Sequence, residues 1–255
     1  MNARDFLTRF EKALVETIMK RYPLSWDEDH ITLSILEKIQ DDFSTVRIFG
    51  YSQRMRVDWQ IYKQRGTNHY NYGDIALLIR ITHQDRDTLE GAAFLEAKKR
   101  SINSIDFAEI KREQLERINR YSQNAMTLLY DYEDITRFAN IESSLSMEKW
   151  FAWKPCTHSV VVPLRLVLAT GKRDTSVYKY SLPFSYQLFY RYFNGLDLDF
   201  TESALSTAKG FAEKENIPRY VIVASVAFGE AETKEIGVNR DTFEPFNSES
   251  GIRKE

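Results

Sequence analysis

A single cysteine, Cys156, stands in 255 residues, so an internal disulfide framework is excluded and a reducing compartment fits best. Proline and glycine are sparse and scattered, 6 and 10 residues, which excludes collagen-like and low-complexity chains. Neither sign of charge dominates. Lys plus Arg number 35 against 37 Asp plus Glu, a net charge of -2. A cationic coat for polyanions is therefore missing, and any nucleic-acid site must be a local patch. Long apolar runs are missing too. The longest, such as 160–162 and 221–224, are strand-sized and far short of the ~20 residues a spanning helix needs. The opening residues Met1–Asn2–Ala3–Arg4–Asp5 lack the charged-then-apolar layout of a signal peptide. The expectation is a soluble cytoplasmic protein with no membrane partner. What is present is ample core material, with 43% apolar and 13% aromatic residues, which excludes a disordered chain.

Hydrophobic periodicity predicts a mixed α/β order. Phe6, Phe10, Leu14 and Ile18 recur every four residues and predict a helix over about 5–19. Pro23 breaks the chain, and a second helix follows from about residue 29, with Asp29 as its cap and Ile31, Ile35 and Ile39 on one face. A strand is expected over 54–63. A polar loop over 64–72 leads to the clearest local signal, two apolar strands at 73–82 and 92–99 joined by a polar turn at 83–91, hence a β-hairpin. A helix is expected from Ser104, with Ile110, Gln114, Ile118 and Tyr121 near one face. Strands are expected at 127–130 and 159–170, helices at 183–193 and 201–214, and a final strand at 219–228. With no repeat and no long linker, one domain is expected over 1–255. It divides into a motif-bearing core at about 29–121, an α/β extension at about 122–228 and a polar tail at 229–255.

The hairpin carries the chemistry. Asp74 opens its first strand, and Glu96 and Lys98 close its second on a shared face, since side chains alternate along a strand. A chain folding back near residue 85 sets Asp74 opposite Glu96, because residues equidistant from the turn become neighbours. Two carboxylates and an ammonium then meet among Ile75, Leu77, Phe94 and Leu95, where repulsion and desolvation penalise the carboxylates. A divalent cation resolves that conflict. Mg²⁺ suits a site of one or two carboxylates, lowers the pKa of a bound water and neutralises phosphoryl charge. Lys98 is placed to orient or activate the attacking water and to stabilise the transition state.

Asp74 followed after 21 residues by Glu96–Ala97–Lys98, in the context GDIALLI…AAFLEAKKR, resembles the signature of the PD-(D/E)xK phosphodiesterase superfamily. The likeness covers about 29–121; Gly73 stands where the family commonly has proline. The resemblance implies a restriction-endonuclease-like fold, a central mixed β-sheet flanked by helices. It implies a Mg²⁺-dependent endo- or exonuclease (Mn²⁺ being the other candidate ion) with DNA as the expected substrate. Asp74, Glu96 and Ala97 would hold the metal and Lys98 would be catalytic. Members of the family include restriction enzymes, repair nucleases and antiphage effectors, so bacterial defence is one expected setting. Members often add an acidic residue from an early helix. Glu37, beside the Ile35–Ile39 stripe, is the first candidate here, with Glu11 and Glu16 competing. Some also carry a glutamine on the helix after the motif, the place of Gln114. Tyr121 lies seven residues further on, unlike the tighter spacing of the exonuclease branch, so that branch is not assigned.

Lys99, Arg100, Lys111, Arg112, Arg117 and Arg120 gather near the motif and are candidates for holding phosphates, with Gln114 among them. Interleaved Glu109, Glu113 and Glu116 make part of this a salt-paired helix surface. Arg54, Arg56, Lys63 and Arg65 form a second possible patch. Thr170–Gly171–Lys172–Arg173 lacks the upstream glycine and the Ser or Thr of a phosphate loop, and Cys156 with His158 is too few ligands for zinc. The scattered histidines His69 and His83 flank the motif in sequence. In the helix at 183–193, Phe184, Leu188 and Tyr192 recur at four-residue spacing and can face inward, which sends Tyr186, Phe189, Tyr190 and Phe193 sideways or outward as an expected self-association or partner surface. With a net charge near zero, a homo-oligomer or a partner protein such as an ATPase is expected to help hold the polyanion. The rival to an enzyme is a non-catalytic nucleic-acid-binding or assembly subunit that keeps the nuclease-like fold.

Overall fold

Nine strands pair into one mixed sheet in a computed structural model of the chain, which describes residues 1–49, 54–66, 73–85, 87–107, 110–122, 124–137, 156–213 and 217–246. In chain order they are β1 (Thr45–Phe49), β2 (Arg54–Gln64), β3 (Ile75–Thr82), β4 (Thr88–Lys99), β5 (Met126–Ile135), β6 (Thr157–Pro163), β7 (Leu182–Pro183), β8 (Tyr220–Phe228) and β9 (Phe243–Pro245). Their spatial order is β1-β2-β8-β3-β4-β5-β6-β7, with β9 on β2. Strands β3 and β4 form the predicted hairpin, while β3 runs parallel to β8 and β4 parallel to β5. The central strands β3 and β8 are nearly continuous apolar runs because both of their faces are covered.

The helices are α1 (Ala3–Arg21), α2 (Glu28–Phe43), α3 (Arg112–Tyr121), α4 (Leu164–Thr170), α5 (Phe184–Tyr186) and α6 (Glu202–Lys209). Ile75, Leu77, Ile79 and Ile81 of β3 pack in one core with Phe6, Phe10, Ile31 and Ile35 of α1 and α2. Ala76 and Leu78 face the other core, with Leu115 and Ile118 of α3, Val167 of α4 and Ala208 of α6. The chain is thus α/β, a mixed sheet between two helical layers.

Several boundaries differ from the sequence reading. Helix α2 starts at Glu28, because the side chain of Asp27, not Asp29, accepts the first free N–H groups, from Asp29 (3.0 Å) and His30 (3.3 Å). The expected strand over 159–170 ends at Pro163, where the chain turns into α4; a proline fits at the first turn of a helix but not inside a ladder. The helix expected from Ser104 begins only at Arg112, and α6 stops at Lys209 because Gly210 adopts φ 81°. Strand β1 was not foreseen, and the polar tail supplies β9 and the buried Ile236, Val238 and Phe243.

The aromatic helix is a further correction. α5 continues through a π-turn, Gln187–Arg191, and a 3₁₀ turn, Tyr192–Asn194. The wider turn rotates the aromatics away from the four-residue spacing that had placed Phe189 and Phe193 outward. Phe189 is 7% exposed and Phe193 0%; Phe189 packs on Phe6 (5.4 Å between ring centroids) and Phe193 on Trp59 (5.3 Å). Phe184, Tyr186, Phe189, Tyr192 and Phe193 are buried within one chain and Tyr190 is partly buried, so these rings do not form the exposed patch the spacing suggested.

Candidate functional site

The hairpin register pairs Ile75 with Leu95, which makes Asp74 and Glu96 the next rung. Asp74 is fixed at three points: its N–H donates to the Leu95 carbonyl (2.9 Å), its carbonyl accepts from the Tyr220 N–H (3.0 Å), and its Oδ2 accepts from the Ala97 N–H (2.8 Å). Ala97 thus serves through its backbone. Gly73 holds a position that a proline could not take. Its φ of 78° lies outside proline's range, and a Cβ there would stand 2.8 Å from the Leu95 carbonyl oxygen.

Lys98 Nζ donates to Glu96 Oε1 (2.6 Å) and to Glu28 Oε1 (3.1 Å). Glu28 is the first residue of α2, and its carboxylate oxygen lies within 4.8 Å of those of Asp74 and Glu96. The site therefore has three carboxylates around one ammonium. Gln114, on α3, donates its amide to Glu96 Oε1. Two oxygens of this cluster, Glu28 Oε2 and Glu96 Oε2, are buried without a hydrogen-bond partner. Buried carboxylate oxygens without donors are costly and rare.

The electrostatics carry the same mark. Burial pushes the Glu28 carboxyl up to about 8, with the charges of Asp74 and Glu96 adding to it and Lys98 opposing. Burial and the neighbouring Asp74 push Glu96 up to about 7 against the pull of Lys98. Burial also raises Asp74, opposed by Lys98 and the Ala97 N–H. Lys98 is desolvated as well, yet Glu96, Glu28 and Asp74 outweigh that and hold its ammonium above the usual lysine range. One ammonium does not balance three carboxylates. The unsatisfied oxygens and the resisted ionisation are those of a cluster that could hold a cation, and oxygen donors alone suit a hard one.

Asp74, Glu96, Lys98 and Gln114 meet as the sequence suggested; Glu37 does not join them. It lies nine residues after Glu28, on the opposite side of a helix of 3.6 residues per turn, and lines a groove with Glu16, Lys20 and Lys38. Glu28 takes that place. It stands three residues before Ile31 and seven before Ile35, so it heads the buried stripe of α2. Of the other acidic candidates, Glu11 is buried against Thr157 and Ser185, and Glu16 pairs with Lys12 (3.7 Å).

The basic residues divide. Arg100 is not available to a nucleic acid: it is buried, bound to Asp131 (3.1 Å) and Glu133 (2.7 Å), with its guanidinium 4.9 Å from the Tyr132 ring centre. Arg112 is exposed but paired with Glu116 (2.7 Å), and Lys111 is exposed just before α3. Lys99, the last residue of β4, is partly buried. His83 stacks on Phe228 (5.5 Å), and His69 lies outside the described residues. Among the described residues no helix is long and apolar enough to cross a membrane. Comparison with protein-family models, curated proteins and solved structures gave no match.

Proposed function

We propose that this chain is a divalent-metal-dependent phosphodiesterase acting on nucleic acid, with DNA as the expected polymer, built on a restriction-endonuclease-like arrangement. One observation carries the reading: two buried, partnerless carboxylate oxygens, Glu28 Oε2 and Glu96 Oε2, beside Asp74 and the Lys98 ammonium. The arrangement is supported by the motif-bearing hairpin at the end of a mixed sheet, a carboxylate from an early helix and a glutamine from the helix that follows.

Asp74, Glu28 and Glu96 would hold the ion. A Mg²⁺-type ion there would polarise a phosphoryl oxygen and supply a water of lowered pKa. The residues do the remaining work. The Ala97 N–H and the Tyr220 rung fix Asp74, so its carboxylate needs no reorganisation. Gln114 holds Glu96 from α3. Lys98 sets a permanent positive charge between Glu28 and Glu96, where negative charge on a phosphate oxygen builds up during hydrolysis.

Purified protein incubated with labelled single-stranded and duplex DNA and with RNA, in Mg²⁺, Mn²⁺ or EDTA, tests the proposal. Cleavage in either metal that stops in EDTA supports it. Metal-bound protein that leaves every polymer intact would leave a binding subunit in its place.

A further inference from the structure

A site of three carboxylates repels the polyanion it is proposed to cut, so cations must stand close by. Arg100 and Arg112 are committed to carboxylates of the chain itself. Two other arginines act on the cluster's carboxylates. Arg219 immediately precedes β8, and the next residue, Tyr220, forms the backbone rung with Asp74. Its guanidinium is ion-paired with Asp29, adjacent to Glu28, lies 5.4 Å from the Tyr220 ring centre and acts electrostatically on Asp74. The side chain is about a third exposed, so part of its donor fork faces solvent. Arg117 lies three residues after Gln114 on α3, hence on the same side of that helix. It is exposed, acts electrostatically on Glu96, and has no hydrogen bond or ion pair among the described residues.

Resting on the phosphodiesterase reading, we propose that Arg219 and Arg117 hold the phosphates on either side of the bond cleaved at the carboxylate cluster. Arg219 approaches from the β8 side and Arg117 from α3, so a strand crossing the sheet end between them lays its backbone over Asp74 and Glu96. Guanidinium suits this task because its planar fork binds phosphate oxygens bidentately, and the contact to Asp29 orders Arg219 before substrate arrives.

The test is metal-free binding, which does not depend on catalysis. A fluorescein-labelled DNA oligonucleotide, single-stranded and duplex, is titrated by anisotropy in EDTA across a range of salt. The slope of log affinity against log salt counts phosphate contacts. Arg219→Ala and Arg117→Ala should each lower it by about one, and the double variant by about two. Lys12→Ala, on α1, should leave it unchanged, and Arg219→Lys, which keeps the charge, should retain the slope while binding more weakly. Wild-type binding with unaltered slopes in both alanine variants, their folding verified by circular dichroism, overturns this inference alone. A wild type that binds no nucleic acid in EDTA at any salt also overturns this inference, while the phosphodiesterase reading falls only if the protein leaves DNA and RNA intact in Mg²⁺ and Mn²⁺.

Discussion

Glu28 and Glu37 sit on one helix, yet only Glu28 reaches the cluster, and that difference is measurable. Glu28→Gln removes a charge from the proposed metal shell and should lower cleavage at fixed Mg²⁺ by about 100-fold or more. Glu37→Gln should leave the Mg²⁺ titration unchanged. Glu28 was legible in principle, since it keeps the spacing of Ile31 and Ile35. Placing the cap at Asp29 instead of Asp27 removed it from the helix. Asp74, Glu96 and Lys98 were legible because strand alternation and distance from the turn fix cross-strand neighbours without any knowledge of packing. Arg219 was not, since its proximity depends on β8 joining β3 from far along the chain. A second residue, Glu11, gives a pH dependence away from the site. Buried against the hydroxyls of Thr157 and Ser185, it is pushed up to about 7 by burial, with both hydroxyls pulling the other way. Its folded value exceeds the unfolded one, so the stability it contributes is full below about 4.5 and is lost as pH rises through about 7. Denaturant unfolding between pH 4.5 and 8 should show wild type losing about 3 kcal/mol more than Glu11→Gln over that range. Parallel curves for the two proteins would contradict this.

At the scale of elements, the hairpin was the best-read part of the chain and the helix ends were the worst. An alternating strand announces its register, whereas a helix end depends on one cap or one residue with positive φ, as at Asp27 and Gly210. The stretch 184–194 shows a different limit. Its spacing was read as an ideal α-helix, and the π-turn at Gln187–Arg191 changes which rings face the core. Phe189 should therefore behave as a core residue of one chain. Phe189→Ala should cost about 3–5 kcal/mol in denaturant unfolding. It should leave the sedimentation behaviour of the folded protein unchanged. A variant as stable as wild type but shifted in oligomeric state would restore the interface reading.

Across the whole molecule, three parts of the chain far apart in sequence converge at one end of the sheet. The hairpin brings Asp74, Glu96 and Lys98, the start of α2 brings Glu28, and α3 brings Gln114. Strand β4 finishes at that end, β3 and β8 begin there, and the first residues of β5 pair alongside Glu96 and Lys98. Composition could not show this convergence: a net charge of -2 averages over a local excess of buried carboxylate. We propose that this convergence hydrolyses a phosphodiester. This is tested most directly by single-turnover cleavage of one labelled DNA in Mg²⁺, comparing wild type with a Glu96→Gln variant shown to be folded. The account predicts strand scission by wild type and a loss of about 100-fold or more in the variant. Equal rates in the two proteins, or no scission by wild type, would contradict it.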